Sequence, residues 1–368
     1  MATTSGTYNF QALENDELIT ECFERIGISG EQLVPVQMNS ARRSLNLLLL
    51  DWMSKSTNLW TLKNDYLTLY QNQGSYSLNK TITDVQQVSL RTFNRQLNGT
   101  PQSNTGETYD GAGGGIVVNA FDDNFTTSCT QTVQNGNISY TYDTPQTIKF
   151  IGIRSNVTGN YTLRIETSNN NIDWTPLMSL FDVDSDGNLK SRMFLAGNTD
   201  WFDVPTPVSA LSYRLVESGQ DLVILDIQEL YFANNVTDFV MSPISRETYY
   251  SFSQKSLQGR PSIYYFDKTI SPKLNIWTTP SSEYKVLWYS YVNIMQDAGG
   301  FYNIADIPAR MYPALVAGLT YMLAVKYNSG AAAECKQEYE QVFAQATAND
   351  SENVDITIRT DTSEYNAY

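Results

Sequence analysis

The 368-residue sequence contains no histidine. Without imidazole it cannot build Ser-His or Cys-His nucleophile pairs, and it lacks the commonest general base and metal ligand. What remains for chemistry is mostly carboxylate, with 39 Asp and Glu against 24 Lys and Arg. Paired carboxylates can act as acid and base, so a carboxylate glycosidase stays open as the least favoured class. One run, Asp182-Val-Asp-Ser-Asp-Gly-Asn188, opens like a calcium loop. Its twelfth position is Met193 rather than a bidentate Glu, and no flanking helix is expected, so a solvated hairpin turn is the plainer reading. Cys22, Cys129 and Cys335 are odd in number and far apart, which fits reduced thiols better than a disulfide framework.

The net charge of −15 disfavours binding of free nucleic acid by a single subunit. Solubility accounts for it, and so does a ring of subunits lining a passage through which DNA slides without sticking. Met1 to Phe10 shows no basic start and no apolar core, so no secretory signal is expected. No run approaches the roughly 20 apolar residues of a membrane helix.

The elements that must position these side chains fall into three segments and a tail. Residues 1–93 open with two helices. Asn15 can cap the first, and Leu18, Ile19, Cys22, Phe23 and Ile26 form a stripe ending at Gly27. The second runs from near Pro35 to Lys55, with Ala41, Leu45, Leu48, Leu49 and Trp52 on one face and Leu47 and Leu50 on the other. A helix apolar on both sides needs two partners. Period-two runs then predict a strand, a turn and a strand around Gln73-Gly74, followed by a strand over 85–91.

Residues 94–235 begin in a polar, Gly-rich stretch and continue as short strands separated by Asn, Asp and Gly turns, which points to a β-sandwich. This is the more acidic part of the chain. Residues 236–348 resume mixed structure, with strands over 263–266 and 284–294 and two helices. Pro313 belongs in the first turn of one helix, and Cys335, Tyr339, Val342, Phe343 and Ala346 share a face of the other. Residues 349–368 read as an extended tail with one strand-like run, Val354 to Arg359. The expected fold class is α+β: a helical bundle with a small antiparallel β part, interrupted by an inserted β-sandwich.

Several motifs of the outer segments occur in a telling order. Leu47-Leu-Leu-Leu-Asp-Trp-Met53, Asn58-Leu-Trp-Thr-Leu62 and Tyr66-Leu-Thr-Leu-Tyr70 come first. Gly259-Arg-Pro-Ser-Ile-Tyr-Tyr265 and Ile307-Pro-Ala-Arg-Met-Tyr-Pro-Ala-Leu-Val-Ala-Gly-Leu319 follow. Together they resemble the head-to-tail adaptor family of short-tailed phages, the tail tubular protein A and packaged-DNA-stabilising type. The resemblance covers roughly residues 12–92 and 238–346. It implies a virion protein assembled in the bacterial host cytoplasm, a ring of twelve copies between the portal protein and the tail nozzle protein. Such a ring extends the DNA channel and retains packaged DNA. On this view Leu47, Leu50, Arg42 and Arg43 are expected at the subunit interface, and Val354, Ile356, Ile358, Tyr365 and Tyr368 in the portal-binding tail.

The middle segment resembles discoidin or galactose-binding-like domains, a jelly-roll sandwich. Asn119-Ala-Phe-Asp-Asp-Asn-Phe-Thr-Thr-Ser-Cys129, Thr167-Ser-Asn-Asn-Asn-Ile-Asp-Trp174 and Asp226-Ile-Gln-Glu-Leu-Tyr-Phe232 carry the likeness. Cys129 stands where the family has a core Trp. The resemblance implies a structural calcium on Asp122, Thr127 and Glu229, a ligand set that oxygen chemistry allows; a loop closed by its own hydrogen bonds is the alternative. No other cofactor is expected. Sugar binding would need an aromatic platform, for which Trp201, Phe202 and Tyr109 are candidates. The expectation is thus a non-enzymatic structural adaptor whose insert decorates the neck and touches a fibre or host glycan. The competing class is a glycan-binding or receptor-binding component acting through the sandwich.

Overall fold

The computed structural model describes residues 13–55, 59–103, 116–131, 136–183, 189–219, 224–282 and 284–348. They fall into two compact units: Met1–Lys63 with Lys80–Asp84 and Tyr291–Tyr368, and Asn64–Asn79 with Val85–Ser290.

The first unit is built from four helices, Asn15–Arg25, Pro35–Lys55, Tyr312–Tyr327 and Ala332–Ala348. Their apolar stripes meet in one core. Leu18, Ile19, Phe23, Leu45, Leu48 and Leu315 are almost wholly buried in it. Trp52 closes it by donating from Nε1 to the Tyr339 hydroxyl at 2.9 Å. Helix Tyr312–Tyr327 is apolar all round because partners cover most of it, and Pro313 lies in its first turn as expected. Gly318 lets the helices approach, since a Cβ there would sit 2.9 Å from both Leu48 and Tyr339. The first helix ends at Gly27, whose φ of +84° is the left-handed conformation that favours glycine. Asn15 corrects an expectation. It is the first helical residue and makes no cap bond; its buried amide donates instead to the carbonyls of Ala298 and Gly300. The carbonyls come from a segment nearly 300 residues away, a partner that local cap chemistry does not reveal. Among the described residues no helix is long and apolar enough to cross a membrane.

The second unit is a β-sandwich continued by further strands. One sheet of the sandwich has the order Thr175–Ser179, Leu163–Ser168, Ser209–Glu217, Asn137–Thr147, Gly99–Ser103. The other runs Leu62–Thr68, Val286–Asn293, Ile82–Asn94, Leu225–Val240, Phe150–Ser155, Thr199–Asp203, with Cys129–Gln131 also on Leu225–Val240. Between them lies a core of Ile138, Ile151, Ile165, Leu215, Leu230 and Phe232 among others. Cys129 sits in this core fully buried.

Strand Leu225–Val240 is the spine of this unit. Its first half pairs with Phe150–Ser155 and its second half with Ile82–Asn94, the register shifting between Asn234 and Thr237. The expected segment boundary at 235 falls inside it, beside Asn235 with φ +47°. The expected strand, turn and strand over 62–78 all form, but the two strands do not pair with each other. Leu62–Thr68 lies in the large sheet, whereas Ser75–Ser77 pairs with Lys273–Trp277 in a separate four-stranded sheet. The chain turns at Asn72 (φ +62°), and the Tyr76 hydroxyl bonds the carbonyls of Tyr70 and Gln73. That side-chain closure takes the place of strand-to-strand pairing. Asp182–Val183 pairs antiparallel with Leu189–Lys190, and the rest of the acidic run, 184–188, lies outside the described residues.

Candidate functional site

Aromatic rings pack into a second buried cluster on the outer face of the large sheet. Alternation along Phe150–Ser155, Thr199–Asp203 and Leu225–Val240 puts Phe150, Trp201 and Tyr231 on that face. Trp201 stacks on Phe150 at 5.2 Å with an interplanar angle of 4°, and tilts against Tyr231 at 5.2 Å. Its Nε1 donates to Thr68 Oγ1 at 3.1 Å. Gly152 makes the ring's position possible, because a Cβ there would lie 2.3 Å from Trp201 Cζ3.

Beside these rings a charged network is layered from inside to outside. Glu229 is fully buried, and Arg95 bonds it at 2.5 Å while also donating to the carbonyls of Leu230 and Ala120. The Arg95 guanidinium lies over Tyr231, 4.5 Å from the ring centroid. Outside it comes Asp123, which accepts from Lys285 Nζ at 2.7 Å and from the Tyr231 hydroxyl at 2.9 Å. Burial alone would raise the Asp123 carboxyl, but the Lys285 hydrogen bond and charge outweigh it and hold the group below its ordinary value. Burial pushes Glu229 up to about 7, and Arg95 pulls back against that. Asp123 has φ +60°, a conformation unusual for a residue with a side chain and found preferentially at functional positions.

The result is a cleft of about 490 Å³ whose walls include Thr68, Gln71, Asp123, Phe125, Trp201 and Tyr284. Phe125 stands 38% exposed, with Arg154 4.1 Å from its ring centroid. An apolar wall with a few convergent polar groups is the usual make-up of a small-ligand site. Here Phe125 and Tyr284 offer ring surface to C–H groups, Trp201 (7% exposed) backs them from the packed interior, and hydroxyl and amide groups and one anion–cation pair meet polar edges.

Of the residues singled out from sequence, Trp201 lines this cleft, while Phe202 packs half-buried against the sandwich core. Tyr109 lies outside the described residues. Asp122 and Thr127 are brought together, the Thr127 hydroxyl donating to Asp122 at 2.9 Å; Asn124 N also donates to Asp122. Glu229 pairs with the Arg95 cation through Oε1, and its Oε2 is buried without a hydrogen-bond partner among the described residues. Among the described residues no group of three or more acidic or cysteine side chains could hold a metal ion. In the first unit Leu47 and Leu50 are 58% and 53% exposed, and Arg43 is exposed. Arg42 turns to its own chain, donating to the Gly299 carbonyl and covering the Phe301 ring. Val354, Ile356, Ile358, Tyr365 and Tyr368 lie outside the described residues. Sequence reasoning missed Phe125, Asp123, Lys285 and Arg95; only the aromatic–acid spacing around Phe121 to Phe125 hinted at them.

No family model matches the sequence, and no curated protein matches it. Solved structures do resemble part of the chain. A family 32 carbohydrate-binding module from a family 31 glycoside hydrolase of Clostridium perfringens is 12% identical, covering 37% of this chain and 97% of its own, with a TM-score of 0.31. The family 32 module of C. perfringens NanJ, solved with galactose, is 15% identical over 39% of this chain and 99% of its own, with a TM-score of 0.31. A chitosan-binding module from a Paenibacillus sp. IK-5 chitosanase/glucanase is 18% identical over 37% and 94%, with a TM-score of 0.29. The chain is an α+β protein with a β-sandwich, as its own strand order and core establish.

Proposed function

We propose that this protein is a non-enzymatic carbohydrate-binding protein whose site is the cleft beside Trp201. The observation that carries the reading is the joining of the ring surfaces of Phe125 and Tyr284 to Thr68, Gln71 and the Asp123–Lys285 pair in one hollow backed by Trp201. A sugar ring has apolar C–H faces and hydroxyl edges, so its recognition needs both kinds of surface at once. The resemblance of residues 94–235 to galactose-binding-like domains agrees with it. Binding without turnover fits the carboxylates: Asp123 is engaged by Lys285, and Glu229 is sealed behind Arg95. Glycan-array screening of the intact chain, followed by calorimetry, tests this. Phe125→Ala and Lys285→Ala should each weaken the selected glycan at least about tenfold, the loss of roughly one good contact. No glycan bound, or unchanged binding by both variants, defeats the reading.

A second reading places the same chain in a phage neck as a head-to-tail adaptor, in a ring with portal and nozzle as partners. The observation favouring it is the exposure of Leu47 and Leu50 on a helix whose other face is fully packed. Native mass measurement of the chain alone and then with a portal protein decides it. A monomer under both conditions removes the ring.

A further inference from the structure

Residues 241–280 reverse the charge balance of the chain. They hold Arg246, Lys255, Arg260, Lys268 and Lys273 against Glu247 and Asp267, in a sequence whose net charge is −15. Arg246, Lys255 and Arg260 are exposed. Among the described residues they form no ion pair; they face rings instead. Lys255 Nζ lies 4.3 Å from the centroid of Tyr250 and 5.2 Å from that of Tyr249. Arg246 Cζ lies 5.6 Å from Tyr250, and Arg260 Cζ 3.6 Å from Phe239.

The rings themselves form a row. Tyr250, 52% exposed, meets Tyr249 edge-on at 5.5 Å, and Tyr249 meets Phe252 at 6.4 Å. Phe252 stacks on Trp277 at 4.6 Å and 23°, both rings half-buried. The short helix Arg246–Ser251 holds Arg246 and Tyr250 one turn apart, and Ser245 caps it by accepting from Thr248 N. The Trp277 Nε1–Gln254 carbonyl bond anchors the loop that carries Lys255.

We propose that this surface binds single-stranded nucleic acid, with bases stacking at Tyr250 and phosphates meeting Arg246, Lys255 and Arg260. Cations on an exposed ring are the combination that single strands use, a base taking the Tyr250 face over which Lys255 lies as that cation turns to a phosphate. A duplex hides its base faces and would not use Tyr250, whereas an acidic polysaccharide can pack C–H faces on that ring, so dextran sulfate is the control that separates the two. The chain's overall acidity does not forbid this. At physiological salt the Debye length is about 8 Å, so acids elsewhere on the surface are largely screened from this patch.

Fluorescence anisotropy of a labelled oligothymidine on the intact chain tests it across a salt series. Three phosphate contacts predict a slope of log K against log salt of about −2, and each of Arg246→Gln, Lys255→Gln and Arg260→Gln should reduce its size by about 0.7. Tyr250→Ala should weaken binding about tenfold and leave the slope unchanged. All four side chains are exposed, and far-UV circular dichroism of each variant checks that it folds. The proposal is overturned by absence of binding at low salt, or by affinity indifferent to the charge variants. It is also overturned if a duplex or dextran sulfate binds as tightly as the single strand while Tyr250→Ala changes nothing.

Discussion

Alanine at position 152 would drive a methyl group into the ring on which the cleft depends. Gly152 lies in the fully buried strand Phe150–Ser155, and its added Cβ would stand 2.3 Å from Trp201 Cζ3 and 2.6 Å from Cε3. Ordinary carbon contacts lie at about 3.5–4.0 Å, so the indole must retreat by roughly 1 Å or more. It has little room to do so. Phe150 lies parallel to it at 5.2 Å, Phe93 and Tyr231 flank it at 5.5 and 5.2 Å, and Thr68 holds its Nε1. Two effects oppose each other. Alanine relieves a strand-interior glycine of about 0.5–1 kcal/mol of chain entropy. Overpacking in a filled core costs about 1–3 kcal/mol, and loss of the Thr68 hydrogen bond adds up to about 1 kcal/mol. Overpacking wins, and Gly152→Ala should be destabilised by about 1–2 kcal/mol. Guanidinium unfolding followed by near-UV circular dichroism measures this, and the native-state aromatic signal should change as well. A variant as stable as the parent with an unaltered near-UV spectrum would refute the account of how Trp201 is held.

Three further outcomes follow from the same structure. Arg91, 9% exposed at its side chain, grips Asp238 through two nitrogens and Asp203 through a third, so Arg91→Ala should destabilise the second unit. Asp203 and Asp238 are 57% and 38% exposed and can rehydrate, so the cost should be about 2 kcal/mol by chemical denaturation, short of the roughly 3–5 kcal/mol for a sealed pair. Glu229 is held up to about 7 against 4.5 for the free group, so the folded state keeps its proton more tightly. Its contribution is full below about 4.5 and lost as pH rises through about 7. Glu229→Gln should therefore lose less stability than the parent as pH rises from about 4.5 to 7, and parallel stability–pH curves would contradict this. Replacing Leu47 and Leu50 together by Ser should leave monomer stability within about 0.5 kcal/mol, since both are exposed. The same variant should lose self-association by native mass if that helix face carries the assembly.

The sequence alone determined whatever depends on neighbours in the chain. Helices Asn15–Arg25, Pro35–Lys55, Tyr312–Tyr327 and Ala332–Ala348 follow from apolar spacing near 3.6, from Pro313 and from Gly27. The alternating runs around Ile138, Ile151, Ile165 and Leu215 predicted strands that form the sandwich core. Sequence spacing also separated the inward Leu48 and Leu49 from the outward Leu47 and Leu50. Tertiary structure decided everything that needs a distant partner. It placed Leu62–Thr68 and Ser75–Ser77 in different sheets, turned Asn15 from cap to clamp, and gave Glu229 to Arg95. It also gathered Thr68, Asp123, Trp201, Tyr231 and Lys285 around one cleft. The physical reason is one of range. Period and turn chemistry act over a few residues and leave their mark there, whereas strand pairing and ion pairing act through space, between groups whose separation in sequence carries no sign of their meeting.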